Sequence, residues 1–123
     1  MHINELTSQI LKYAYTVHTA LGPGLLENSY KTCLAYELRQ AGFDVLHEQA
    51  LPLVYKEVKL DAGYRIDLWV DKRVIVELKA AEAIHDVHIA QTLTYMKLTQ
   101  SKIGLLINFN VKSLKDGIKR LIL

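Results

Sequence analysis

Residues 65–79 read Arg65-Ile66-Asp67-Leu68-Trp69-Val70-Asp71-Lys72-Arg73-Val74-Ile75-Val76-Glu77-Leu78-Lys79. Tyr64, Ile66, Leu68 and Val70 alternate with Arg65, Asp67 and Trp69, the period-two pattern of a strand. Val74 to Leu78 is apolar on both faces, which reads as a buried strand. Asp71-Lys72-Arg73 is the turn between them. Cross-strand partners share a face, so the length of that turn decides where two carboxylates point. A two-residue turn pairs Val70 with Arg73 and sends Asp67 and Glu77 to opposite faces. A three-residue turn pairs Val70 with Val74 and sets Asp67 opposite Glu77. The shorter turn lacks the Gly or Asn that type I′ turns prefer, which favours the odd loop.

Working outward, residues 3–21 carry Ile3, Leu6, Ile10, Tyr13, Ala14, Val17 and Leu21 at helical spacing, and Gly22-Pro23-Gly24 ends that helix. A second helix is expected from Leu25 to Ala41, with Leu26, Tyr30, Cys33, Leu34, Leu38 and Ala41 as its buried stripe and Gly42 as its stop. Phe43 to His47 and Leu51 to Val58 read as strands, Pro52 marking an edge or a strand start. The helical period returns from Glu82 to Thr99, and Ile103 to Phe109 is short enough to favour a strand. Strand, helix and strand over residues 74–109 form a βαβ unit with parallel strands and a right-handed crossover. Asp116-Gly117 signals a turn, and Ile118 to Leu123 reads as an edge strand or a short helix. The order is α-α-β-β-β-β-α-β plus a C-terminal element: an α/β (α+β) fold, a mixed β-sheet flanked by helices.

A chain of 123 residues fits one domain over residues 1–123. Half of the residues are hydrophobic and 23% are charged, which excludes a disordered chain. Apolar runs such as Leu105-Leu106-Ile107 fall far below the ~20 residues that span a bilayer, and the N-terminus lacks a signal-peptide pattern. Cys33 is the only cysteine, so no internal disulfide and no cysteine-rich zinc site can form. A cytoplasmic location fits. The net charge is +2, but residues 97–123 hold six basic residues against Asp116 alone. Clustered Lys and Arg can contact phosphates, although on charge alone a solvated surface is the plainer reading.

Glu77 and Lys79 are two apart, so they leave one strand on the same face. Burying acidic groups on a sheet is costly without compensation. Mg²⁺ would compensate, because it favours a few carboxylates completed by water and phosphate oxygens. Lys79 would then offset charge growing on a phosphate in the transition state. The plainer alternative, surface ion pairs, weighs about equally, because these residues interrupt near-continuous apolar strands. His88, Gln91 and Tyr95 share one face of the following helix; Gln91 could orient a phosphate or a water, and Tyr95 could meet a nucleotide. A polar helix stripe is the plainer reading of that face. Glu27 falls in the first turn of the second helix, where an acidic residue is favourable in any case. Glu82, His85 and His88 do not match zinc spacing. Cys33 reads as core, and His18 as a satisfied helix residue.

Gly24-Leu25-Leu26-Glu27-Asn28-Ser29-Tyr30 matches the signature of the GxxExxY proteins. The resemblance continues through Asp67, Val76-Glu77-Leu78-Lys79, Gln91 with Tyr95, Leu106-Ile107-Asn108-Phe109-Asn110 and Gly117-Ile118-Lys119-Arg120, nearly the whole chain in order. That family is placed in the PD-(D/E)XK nuclease superfamily, so the resemblance implies a restriction-endonuclease-like fold. It implies that Asp67 and Glu77 ligate Mg²⁺ or Mn²⁺, that Lys79 is catalytic, and that Glu27 adds an acidic group to the metal site. Gln91 and Tyr95 resemble the Q-x-x-x-Y element of the exonuclease-like branch. Ile66 stands where the superfamily label has proline.

The expected activity is Mg²⁺-dependent hydrolysis of DNA phosphodiester bonds by a metal-bound water. Two rivals stand beside it: a non-catalytic nucleic-acid-binding or protein-interaction module on the same fold, and a nuclease acting on RNA. A chain this short has little surface to embrace a duplex, so a homodimer or a larger complex is expected.

Overall fold

The computed structural model describes residues 1–60 and 63–123. Helix α1 (Ile3–Leu21) begins where His2 Nδ1 accepts the Asn4 N–H at 3.0 Å, and ends at Gly22, whose φ of +67° favours glycine. Its apolar residues Leu6, Ile10, Ala14 and Val17 are all buried. Helix α2 (Glu27–Gln40) starts two residues later than its apolar spacing predicts, because Leu26 is extended. Tyr30, Leu34 and Leu38 form its fully buried stripe; of the other residues expected there, Cys33 is half-buried and Leu26 and Ala41 are exposed.

Five strands form the main sheet: β1 (Val45–Ala50), β4 (Arg65–Val70), β5 (Val74–Lys79), β6 (Ile103–Asn108) and β7 (Ile118–Ile122), in that order across it. β5 and β6 are parallel and the other neighbours antiparallel. Helix α3 (Asp86–Thr99) makes the crossover. The fold is therefore the expected mixed sheet flanked by helices. Helices α1 and α2 cover one face with Leu68, Val70, Val74, Val76, Leu105 and Ile107; α3 covers the other with Ile75, Tyr95 and Met96.

Other expectations also need correction. Leu51 to Val58 is not one strand. It is β2 (Leu53–Tyr55) and the start of β3 (Val58–Leu60), a separate two-stranded hairpin that turns at Lys56 with φ +54°. The first strand runs from Val45 to Ala50 rather than from Phe43 to His47. Helix α3 starts at Asp86, not Glu82, because Asn108 holds the backbone of Ala81 from across the sheet. Its Oδ1 accepts the Ala81 N–H at 3.2 Å and its Nδ2 donates to Ala81 O at 2.9 Å. The alternation in β4 breaks at Asp67: Leu68 and Val70 join the α1–α2 side, whereas Ile66 joins the α3 side. The C-terminal element is an edge strand, β7, reached through a short 3-10 turn at Leu114–Gly117.

The β4–β5 connection is the odd loop. Val70 pairs with Val74, Trp69 with Ile75 and Leu68 with Val76. Asp71 and Lys72 both take φ of +52°, and the Arg73 N–H donates to Val70 O at 2.9 Å. Positive φ is thus reached without Gly or Asn.

Candidate active site

Beyond Leu68 and Val76 the β4–β5 ladder stops, and side chains replace it. The Asp67 N–H donates to Glu77 Oε2 at 2.7 Å. The Leu78 N–H donates to Asp67 Oδ2 at 2.9 Å. Each strand thus offers a backbone donor to the other strand's carboxylate. Two acidic groups are thereby held at a fork, with Glu77 only 3% and Asp67 9% exposed.

Burial first, and then the negative charge of Asp67, push the Glu77 carboxyl up to about 8. The N–H of Asp67 and the charges of Lys79 and Lys31 work in the opposite direction. Lys79 ends β5 and is half-buried, with Asn108 as its parallel neighbour on β6. Phe109 N–H donates to Lys79 O at 2.9 Å, which fixes the strand end that carries the lysine.

Tyr95 comes to the same place from α3. It is buried against Ile66, Ile75 and Met96. Burial, then the charges of Glu77 and Asp67, raise its phenol to about 12, so it stays a neutral donor. Gln91 lies one turn earlier, half-buried, in a groove of about 290 Å³ that Leu53, Tyr64, Val87 and Tyr95 also line. Four expected site residues therefore converge here, Asp67, Glu77, Lys79 and Tyr95, with Gln91 at the groove beside them.

Glu27 stands apart. It is half-buried at the first turn of α2, and its charge acts on His88 in the first turn of α3. Among the described residues no three His, Cys, Asp or Glu side chains converge on one point, so Glu27 does not join Asp67 and Glu77 in one cluster. Burial, then the charges of Lys79 and His85, hold the His88 imidazole below its ordinary range. His88 Nδ1 accepts the His85 N–H at 3.1 Å.

The signature segment has a structural role that its spacing did not reveal. The Tyr30 hydroxyl donates to Gly22 O at 2.6 Å and accepts the Leu25 N–H at 3.1 Å. Its ring stacks on Phe109 with centroids 4.7 Å apart. Tyr30 therefore ties the Gly22–Leu25 turn to the core and fixes where α2, with Glu27, begins. His18 and Cys33 need no ligand: His18 Nε2 lies 2.8 Å from Val111 O, and Cys33 packs against the larger core.

Sequence reasoning missed Lys31 and Glu48. Lys31 Nζ lies 3.1 Å from Asp67 Oδ1 and 3.0 Å from Glu48 Oε1. Lys31 is 7% exposed, unusual for a lysine and consistent with pairing. Burial works to lower its pKa, but the bonds to Glu48 and Asp67 outweigh that and raise it. The available signal was spacing: Lys31 is three, four and seven residues from Leu34, Ala35 and Leu38, and so belongs to the buried face of α2.

The donor set is oxygen-only and acidic, with one carboxylate buried and raised. It fits a hard divalent cation such as Mg²⁺ or Mn²⁺, which binds few carboxylates and keeps water and phosphate oxygens. Asp67 and Glu77 could hold it. Lys72, Arg73 and Lys102 line a separate hollow where β5 and β6 begin, the opposite end of the sheet from Lys79. Among the described residues no helix is long and apolar enough to cross a membrane.

A family model described as the PD-(D/E)XK nuclease superfamily matches residues 4–121. No curated protein and no solved structure matches the chain. Members of that superfamily are typically nucleases. The match spans almost every element described, including the forked strands with Asp67 and Glu77-Leu78-Lys79, and the chain belongs to the PD-(D/E)XK nuclease superfamily.

Proposed function

We propose that this protein is a divalent-metal-dependent nuclease that hydrolyses phosphodiester bonds in DNA, and that it belongs to the GxxExxY branch of its superfamily. The observation that carries this reading is the fork: two buried carboxylates bonded to each other's strands, one residue pair from a lysine at the end of β5. Of the two carboxylates Lys31 answers the charge of Asp67 alone, and burial raises the carboxyl of Glu77, so a second acidic group is kept in the fold at a cost that a protein only binding nucleic acid has no need to bear.

Asp67 and Glu77 would hold Mg²⁺ or Mn²⁺ at the fork. When bound, the cation supplies positive charge to the phosphate and makes a water more acidic. Lys79 Nζ would sit beside the phosphate oxygens and offset the charge that grows on them. Gln91 would orient a phosphate oxygen or the attacking water through its amide. Tyr95 Oη, neutral at any working pH, would donate a hydrogen bond. Glu27 would contribute from the edge of the site through water. The new bond would run from water oxygen to phosphorus, the water giving up a proton to solvent, and the bond that breaks is the phosphorus–ester oxygen bond, whose oxygen takes a proton from solvent as it leaves.

The test is cleavage of labelled single- and double-stranded DNA, with RNA of the same sequence alongside, in Mg²⁺, Mn²⁺ or chelator. DNA cutting that needs the metal and disappears in Lys79→Ala supports the reading. Cutting of RNA alone moves the substrate to RNA. Binding without cutting of any substrate supports the non-catalytic module instead. The limited surface of a 123-residue chain favours a homodimer on a duplex, and sedimentation of a fully active monomer at micromolar concentration would overturn that assembly.

A further inference from the structure

Asp67 has two oxygens and both are engaged. Oδ2 accepts the Leu78 N–H, and Oδ1 takes the Lys31 ammonium. Any cation held by Asp67 must therefore share Oδ1 with that ammonium or drive it off. Two positive charges on one oxygen repel each other, and the repulsion is little screened where the side chains of Lys31 and Asp67 are only 8% and 12% accessible.

Lys31 has somewhere to go. Glu48 Oε1 already accepts from Nζ at 3.0 Å, and Glu48 is far more exposed than Asp67, with 48% of its side chain accessible. Glu48 also takes φ of +51° inside β1, between the pairs His47–Leu68 and Gln49–Ile66. That conformation is rare for a non-glycine residue and is kept here at the one β1 position facing Asp67. The lysine is thus tethered at both ends of a short path, one end buried and the other open to water.

We infer that Lys31 is a resident counter-ion of the carboxylate fork, which a divalent cation displaces from Asp67 toward Glu48, so that Lys31 and Glu48 together set the affinity for the cation. This rests on the reading of Asp67 and Glu77 as metal ligands. Lys31 and Glu48 are positioning residues and touch no substrate. Lys31 opposes the cation, and Glu48 favours it by drawing Lys31 away.

The experiment is a calorimetric titration with Mn²⁺, without nucleic acid, of the wild type, Lys31→Met, Glu48→Gln and the double variant. Lys31→Met should bind Mn²⁺ about tenfold more tightly, which is about 1.4 kcal/mol. Glu48→Gln should bind it several-fold more weakly. In the double variant the Glu48 change should have no further effect, because it acts only through Lys31. A Glu48→Gln effect that persists without Lys31 overturns the inference and assigns Glu48 a direct, through-space pull on the metal. Wild-type binding that Lys31→Met leaves unchanged overturns it as well. Failure of the wild type to bind Mn²⁺ overturns the metal reading, and the inference with it.

If Lys31→Met fails to fold, the wild type serves alone. Acetylation of Lys31 by acetic anhydride, read by mass spectrometry, should rise several-fold when Mg²⁺ saturates the site, because the amine moves to the exposed end of its path. Equal labelling with Mg²⁺ bound overturns the inference.

Discussion

Asp67 and Glu77 are joined through one hydrogen bond in which backbone meets side chain, the Asp67 N–H on Glu77 Oε2 at 2.7 Å. In a regular antiparallel pair that N–H would face a carbonyl across the ladder. Here β4 and β5 have parted, and the carboxylates stand in for the missing ladder bonds. The fork thereby satisfies two buried N–H groups and gathers negative charge in the same step.

That arrangement makes stability depend on pH. The Glu77 carboxyl is raised from 4.5 to about 8 in the folded protein, chiefly by burial. Between those values the folded state holds a proton that the unfolded state has lost, so stability falls as pH rises through that window. Below the window the contribution is fully present, and above it the loss is complete. A tenfold difference in proton affinity between the folded and unfolded states is worth about 1.4 kcal/mol, so the total loss is a few kcal/mol. Chemical denaturation in chelator should therefore give a lower midpoint at pH 8 than at pH 5. Glu77→Gln should flatten that slope. A wild-type midpoint independent of pH would contradict the assignment.

Binding of Mn²⁺ should run the other way. The ligand form of Glu77 is the carboxylate, so the cation must displace its proton below about pH 8. Apparent affinity should climb between pH 6 and pH 8. Titrations in buffers of different ionisation enthalpy should report proton release at pH 6.5 and almost none near pH 9. Absence of release at the lower pH would mean that Glu77 is already ionised.

Much of this arrangement was legible in the chain, for physical reasons that differ by element. Helix α1 follows from its helical spacing and β4, up to the break at Asp67, from alternation, whereas β5 and β6 were legible as short apolar runs that the sheet buries on both faces. The odd loop was legible only from the lack of Gly or Asn for a two-residue turn; the register bears it out, although Asp71 and Lys72 take positive φ all the same. The β2–β3 hairpin was not, since Val54-Tyr55-Lys56-Glu57-Val58 carries no glycine or proline to mark a turn, and Lys56 makes it regardless. The late start of α3 depends on Asn108, twenty-seven residues from Ala81 in sequence. The Lys31–Asp67–Glu48 contact joins α2, β4 and β1 and leaves no local pattern beyond a lysine on a buried helix face.

Tyr30 tests whether the signature segment is structural or chemical. Tyr30→Phe removes the bonds to Gly22 O and Leu25 N–H but keeps the stack on Phe109. Loss of a hydrogen-bonded hydroxyl at a site closed to water costs about 1–3 kcal/mol. The thermal midpoint should fall accordingly, with faster hydrogen exchange at Leu25. Mn²⁺ affinity should stay within about twofold of wild type, since Tyr30 touches neither carboxylate. A large loss of Mn²⁺ binding with unchanged stability would give the tyrosine a chemical role instead.

Gly117 is placed by a neighbour rather than by its own backbone. A Cβ added there would lie 2.1 Å from the backbone oxygen of Asn108. The obstacle is main chain, so no side-chain rotation relieves it and β6 or the Leu114–Gly117 turn must move. Gly117→Ala should therefore destabilise the fold by about 1–3 kcal/mol, the usual cost of overpacking. The movement also has a direction. Asn108 holds Ala81 through both the oxygen and the nitrogen of its side-chain amide, and Phe109 N–H donates to Lys79 O, so a shift of Asn108 loosens the end of β5. Hydrogen exchange should quicken at Ala81 and Phe109 as well as near residue 117, while Leu68 to Val76 stays protected. DNA cleavage, where it is measured, should fall more than the unfolded fraction alone explains. Exchange confined to the 3-10 turn would mean that the clash is absorbed on the β7 side and that Gly117 has no influence on Lys79.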